Sequence, residues 1–240
     1  MKPVALVTGG SGGIGRAICE HLLAAGHRVH SLSREATDID HPDLHSVQVD
    51  LADPVATREA AATVCAGEDV SVLVHSAGAM RPALLPDVKV DDLHALVDLH
   101  LTSLLILTQA VLPSMRRHAH GRIVLVSSRA ALGLASRTSY AATKSGMFGM
   151  ARTWALELGP DGITVNVVAP GPVVTDMFHE VIPRDAARMD QIAQAVPVRR
   201  LGQPADVARA VMFFAAPENG FVTGQTLYVC GGTSVGSITY

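Results

Sequence analysis

The chain has 240 residues, 48% of them apolar, and a formal net charge of −3. That length holds one large domain or at most two small ones, and the apolar share excludes wholesale disorder. There is no long basic run, Arg, His, Asp or Gly interrupts every apolar run, and the three cysteines (Cys19, Cys65, Cys230) lie far apart, so the sequence argues against nucleic-acid and membrane partners, a disulfide framework and a metal site, and for a reducing cytoplasm.

The first residues lack a signal-peptide plan and enter an apolar run, Val4 to Val7, that suits a buried parallel strand. The run ends at Thr8-Gly9-Gly10-Ser11-Gly12-Gly13-Ile14-Gly15, and an amphipathic helix follows with Ile18, Leu22 and Leu23 inward. Strand, glycine turn and helix form the context in which glycines let backbone approach a pyrophosphate and a helix N-terminus receives it. A second strand runs from about Arg28 to Leu32 and ends at Ser33-Arg34. An acid at that end would hold a ribose 2′-hydroxyl; here Glu35 comes one position too late, and Arg34 suits a 2′-phosphate instead. The electrostatics favour NADP over NAD, unless Arg34 is only a solvated loop charge.

A third strand is expected at Ser46 to Val49, closed by Asp50-Leu51, then a helix from about Pro54 to Ala66. Val70 to Val74 forms the fourth strand, ending at His75-Ser76-Ala77-Gly78. A long helix, about Val90 to Arg117, has a nearly continuous apolar middle and must be buried on most sides. Ile123 to Val126 is the fifth strand, ending at Ser127-Ser128. The next helix carries Tyr140 and Lys144 four residues apart, on one face, and runs on to Gly159-Pro160. A phenol alone titrates at about pH 10, and an ammonium one turn away is expected to lower that. The pair is a candidate general acid/base for a carbonyl or alcohol. Ile163 to Val168 is the sixth strand, broken by Pro170-Gly171-Pro172. The polar stretch from Asp176 to Gly202 predicts one short helix and a substrate lid over about 172–200. A helix near Ala205 to Ala215 and a strand at Thr226 to Val229 complete the chain.

Strand and helix alternate throughout, which predicts one α/β domain over 1–240: a doubly wound parallel sheet of Rossmann type with helices on both faces. Ligands in such sheets bind beyond the strands' carboxyl ends, where the Gly9 turn, Gly78, Ser128 and Gly171 all fall. Met147, Phe148, Met150 and Trp154, with the middle of the long helix, exceed what one sheet face needs, which predicts a homotetramer, with a dimer second. Met80, Leu134, Met177, Phe178 and Ile182 predict a partly apolar substrate site mixed with His179, Glu180, Arg184 and Asp185. Arg129 and Arg137 could steer an acidic carrier or a phosphate.

In this order the motifs resemble the classical short-chain dehydrogenase/reductase family, 3-oxoacyl reductase-like, over essentially the whole chain. Thr8-Gly9-x-x-x-Gly13-x-Gly15 is similar to its cofactor loop, including Ser11 and Ile14, and Asp50-Leu51 to its adenine contact. Ser76-Ala77-Gly78 falls at the family's Asn-Ala-Gly segment. Pro170-Gly171-Pro172-Val173-Val174-Thr175 resembles its nicotinamide segment, and Phe221-Val222-Thr223-Gly224-Gln225 its C-terminal signature. The resemblance implies hydride transfer between NAD(P)(H) and a carbonyl or secondary alcohol. Tyr140 would be the proton donor, Lys144 its pKa partner and ribose ligand, and Ser128 (or Ser127) the hydrogen-bond donor to the substrate oxygen. The chain departs from the family at His75, at Cys230, and at His100, which stands where an asparagine completes the proton relay. His100 would replace that asparagine in the relay or be a packing residue. The alternatives are a sugar, polyol or cyclic-alcohol dehydrogenase and, in another class, a nucleotide-binding regulator with an impaired relay.

Overall fold

The computed structural model describes residues 2–235, so Met1 at the start of the expected N-terminal run lies outside it. Seven parallel strands form one sheet in the order β3-β2-β1-β4-β5-β6-β7. They are β1 (Val4–Thr8), β2 (Arg28–Ser33), β3 (Leu44–Gln48), β4 (Val70–His75), β5 (Gly121–Val126), β6 (Ile163–Pro170) and β7 (Thr226–Val229). The helices are α1 (Gly13–Ala24), α2 (Pro54–Gly67), α3 (Val90–Val97), α4 (Ser103–Arg117), α5 (Thr138–Leu158), α6 (Asp176–His179), α7 (Ala186–Ala195) and α8 (Pro204–Ala215).

Strand residues alternate between two separate cores, because successive side chains point to opposite faces. Val4 and Leu6 join Leu104, Leu107, Val111, Met147 and Ala151 under α4 and α5. Ala5 and Val7 join Ile18, Leu22, Val207 and Val211 under α1 and α8. Central strands buried on both sides therefore read as continuous apolar runs, as β1, β4 and β5 do. Truncating Leu6 or Leu22, both fully buried, would cost about 2–5 kcal/mol.

Four expectations change. The third strand is Leu44–Gln48, not Ser46 to Val49. The long helix runs unbroken from Val90 to Arg117, but a π-helical turn, Asp98–Thr102, joins α3 to α4. By length and composition that helix is apolar enough to cross a membrane, contrary to the reading of its interrupted run; Leu104, Leu107, Val111 and Met115 bury it in the sheet core instead. The stretch after β6 holds two helices rather than one. Asp185 caps α7 by accepting the Arg188 N–H (2.7 Å), and Thr175 caps α6 by accepting the Phe178 N–H (3.1 Å). Met147 is wholly buried in its own chain, and Phe148, Met150 and Trp154 are half-buried against the same core, so only part of that stretch is free surface.

Candidate active site

A cleft of about 970 Å³ opens at the carboxyl ends of the strands. The glycine turn after β1 lines it. A Cβ on Gly9 would lie 2.9 Å from the Ala77 Cα, and one on Gly15 only 2.1 Å from the Gly9 carbonyl oxygen. Backbone packs here too closely for any side chain. Beside Gly12 there is open space, and as N-cap of α1 it gives the helix no side-chain partner. Free amides at a helix start, with room in front of them, fit the pyrophosphate of a dinucleotide. Ser33 Oγ accepts the Ser11 N–H (3.3 Å), tying the turn to the end of β2, where Arg34 and Glu35 stand exposed. Asp50 is exposed and Leu51 buried at the next strand end.

The cleft brings together Gly9, Ser11, Gly13, Ile14, Gly15, Ser33, Arg34, Asp50, Leu51, Ser76, Ala77 and Gly78 with Pro170, Gly171, Val173 and Thr175. Ser128, Tyr140 and Lys144 line it as well. Of the lid residues, Met177, Phe178, Glu180 and Ile182 face it with Met80 and Leu134, but His179, Arg184 and Asp185 do not. Arg184 is paired with Asp176 (2.6 Å) instead.

The two serines after β5 are distinguished by their partners. Ser127 is buried, and its hydroxyl donates to the Lys144 carbonyl (2.7 Å). Ser128 Oγ accepts the Ala130 N–H (3.1 Å) and stands near enough to the Tyr140 phenol to favour its ionised form. Lys144 Nζ donates to the Val126 carbonyl (2.9 Å) and lies 5.8 Å from the centre of the Tyr140 ring. Burial pushes the Lys144 ammonium down to about 7. The expected lowering of Tyr140 is not found. Burial raises its pKa, and the Ser128 hydrogen bond and the Arg137 charge offset only part of that.

Among the expected catalytic and cofactor residues, His100 alone does not line the cleft. It is fully buried beneath it. Its Nε2 accepts the Ala79 N–H (3.2 Å), which assigns the proton to Nδ1, facing Thr143 Oγ1 at 2.8 Å. Both ring nitrogens are thus committed. His75, also fully buried, is set by a residue that sequence reasoning passed over. Thr8 Oγ1 accepts the N–H groups of Ser76 and Ala77 (2.9 Å each), leaving its own hydrogen for His75 Nδ1 (3.2 Å). A threonine closing a strand against a glycine turn carries no sequence signal of such a role. Thr143, inside α5, was missed because its partner His100 lies 43 residues away.

A family model described as enoyl-(acyl carrier protein) reductase matches residues 9–234. The chain is 37% identical to 3-oxoacyl-[acyl-carrier-protein] reductase FabG of Escherichia coli K12 over 95% of its length and 96% of the relative's. It is 37% identical to the (2S)-[(R)-hydroxy(phenyl)methyl]succinyl-CoA dehydrogenase subunit BbsC of Thauera aromatica, over 96% and 94% of the two chains. The chain belongs to the short-chain dehydrogenase/reductase family. Among solved structures of the family, Thermoplasma acidophilum aldohexose dehydrogenase superposes with a TM-score of 0.92 at 26% identity, covering 100% of this chain and 96% of that one. A protein described as an NAD(P)-dependent gluconate 5-dehydrogenase from Beutenbergia cavernae, with NADP bound at low occupancy, does so at 0.90 and 31%, covering 98% and 97%.

As a short-chain dehydrogenase/reductase, the protein is an NAD(P)-dependent oxidoreductase. Its histidines at 75 and 100, unlike the amides they replace, can titrate. Burial and the nearby Lys144 charge hold both down, His75 to about 3, so both are neutral at physiological pH.

Proposed function

We propose that the protein reduces a 3-oxoacyl-type carbonyl with NADPH. The observation that carries this reading is the convergence of Ser128, Tyr140 and Lys144 on the cleft that also holds the glycine turn. The nicotinamide, when bound, supplies the hydride. Tyr140 gives its phenolic proton to the carbonyl oxygen as charge develops there, and Ser128 donates a hydrogen bond to the same atom. Lys144, already near neutrality, protonates and deprotonates readily beside Tyr140 and holds the nicotinamide ribose. Ser127 fixes α5 rather than meeting substrate, because its hydroxyl is engaged by the Lys144 carbonyl. His100 is a positioning residue: it ties Ala79 to Thr143 on α5, one residue before Lys144, and passes no proton.

Gly9, Ser11, Gly13, Ile14 and Gly15 would hold the pyrophosphate, and Asp50 and Leu51 the adenine. Ser76, Ala77, Gly78, Pro170, Gly171, Val173 and Thr175 would hold the nicotinamide half. Ser33 and Arg34 would take the 2′-phosphate, since Ser33 repels no phosphate and Arg34 can pair with one. The stretch from 172 to about 200 acts as the substrate lid of a single domain. Exposed Leu105 on α4 and Leu156 on α5, with Phe213 on α8 and Leu227 on β7, give two apolar faces for a homotetramer. Few, unpaired cysteines agree with a cytoplasmic protein.

The test is NADPH oxidation against 3-oxoacyl thioesters, cyclic ketones and ketoses, run in parallel with Arg34→Ala. Turnover of thioesters, and a loss of affinity for NADPH well above that for NADH, is expected. Turnover of sugars alone would favour the second reading, a sugar or polyol dehydrogenase, which the likeness to the aldohexose enzyme supports.

A further inference from the structure

The catalytic end of the cleft holds more positive charge than hydride transfer requires. Arg81, Arg129, Arg137 and Arg188 line it, against Asp176 and Glu180. Arg81 is paired with Asp92 (3.3 Å), and Asp176 with Arg184 (2.6 Å). Among the described residues Arg129, Arg137 and Arg188 form no ion pair.

Arg137 is held differently from the others. Its Nη1 donates to both the carbonyl and the hydroxyl of Ser136 (3.1 and 2.6 Å). Ser136 has φ 59°, a left-handed conformation that costs a residue with a side chain on the order of 1–3 kcal/mol. The surrounding chain enforces it: the Ala83 N–H donates to the Ser136 carbonyl (3.1 Å), and Ala83 pairs with Arg137 in a short parallel bridge. Arg137 is also the residue on which α5 starts, three positions before Tyr140. The Ala141 N–H donates to the Arg137 carbonyl (2.7 Å), which places Arg137 and Tyr140 on the same first turn of α5. The guanidinium is close enough for its charge to act on the Tyr140 phenol. Leu96 and Ala130 pack with Tyr140 in one apolar cluster, and with Leu134 they line the cleft.

We propose that Arg137 determines substrate class by binding a carboxylate that lies one or two carbons from the carbonyl served by Tyr140, so that the preferred substrate is a free 3-oxo acid. This rests on the reductase reading and narrows it. Arg137 and Tyr140 line the same cleft from one turn of α5, so a single compact molecule can place a carbonyl at the phenol and a carboxylate at the guanidinium, and a planar guanidinium suits a carboxylate better than a neutral ester. The reaction is balanced without another reactant: hydride passes to C3, the phenolic proton to its oxygen, and the product is a 3-hydroxy acid and oxidised cofactor.

The experiment measures kcat and KM for 3-oxobutanoate and for its methyl ester with NADPH, in wild type, Arg137→Gln, Arg137→Lys and Arg116→Gln. A charge-assisted pair of this kind predicts a preference for the acid of about 10- to 100-fold in kcat/KM. Arg137→Gln should remove that preference mainly through KM, Arg137→Lys should restore part of it, and Arg116→Gln, on α4 and paired with Asp161 away from the cleft, should keep it. If the ester is used as well as the acid, or if Arg137→Gln lowers both equally, the assignment is overturned while the reductase reading stands. Turnover of a long 3-oxoacyl thioester but not of the acid overturns it in the same way. No oxidation of NADPH by acid, ester or thioester would overturn both.

Discussion

Acid should unfold this protein through the two histidines beneath its cleft. His75 and His100 are both fully buried and neutral. Protonating His100 at Nε2 would break its bond from Ala79, and protonating His75 at Nδ1 would break its bond from Thr8. Both folded-state pKa values lie below the unfolded value of 6.5, that of His75 at about 3. The unfolded chain therefore binds more protons below pH 6.5, so the stability these groups contribute is complete above 6.5 and falls with pH down to the folded values. At pH 4.5, two units below the unfolded pKa, each histidine removes about 3 kcal/mol, and the pair about 5. That is a large share of the stability of an ordinary domain, about 5–15 kcal/mol. Carboxylates held low by ion pairs, such as Asp206 at about 2, act only below their unfolded value of 3.8, so the two effects separate on the pH axis. The assay is urea unfolding at intervals from pH 7.5 to 4.5, on wild type, His75→Asn, His100→Asn and the double variant. Each substitution should flatten the slope of stability against pH by about one proton between pH 6 and 4.5. A double variant with the wild-type slope would refute the reasoning, whatever its absolute stability.

Further outcomes follow from the site. Tyr140→Phe should lower kcat by about 10²–10⁴-fold and leave NADPH affinity near wild type, as read by fluorescence titration. Ser128→Ala should act on kcat, whereas Ser127→Ala should act on Tm, because only Ser127 spends its hydroxyl on the α5 backbone. Lys144→Met should abolish turnover yet raise Tm of the cofactor-free protein. A buried ammonium pushed from 10.5 to about 7 is a net burden at neutral pH, of about 4 kcal/mol at most; a lower Tm would contradict this. Sedimentation at micromolar concentration should give a tetramer, and a monomer would contradict the two apolar faces.

Much of this was legible in sequence because backbone chemistry imposes it locally. A turn in which a Cβ would sit 2.1 Å from a carbonyl must be glycine, so the first crossover announces itself. The doubly buried strands announce themselves by continuous apolar runs. Where burial fails, the pattern fails too. β3 is an edge strand with His45, Ser46 and Gln48 exposed, and the expected strand was displaced by two residues at its start. α7 buries no residue, so its helix carried no apolar stripe to read. The site's electrostatics were misjudged for another reason. Spacing placed Lys144 beside Tyr140 correctly, but not how deeply both are buried, and burial decides both pKa values. The partners of His100, Ala79 and Thr143, lie 21 and 43 residues away in the chain, beyond any local pattern.

The strand order bears on how the chain is assembled during synthesis. The first strand made, β1, lies inside the sheet, and both its neighbours, β2 and β4, are complete by residue 75. From there β5, β6 and β7 add one by one to the same side, each beside its predecessor. The glycine turn and the end of β2 thus belong to the part that emerges first, and Ser128, Tyr140 and Lys144 to the part that emerges later. Until each new strand docks, the open edge is an apolar one, first β4 and then β5, with six of six residues buried in the finished β5. A ribosome that paused between residues 75 and 121 would hold out a sheet with its apolar β4 edge bare, an invitation to mispairing that ends only when β5 docks.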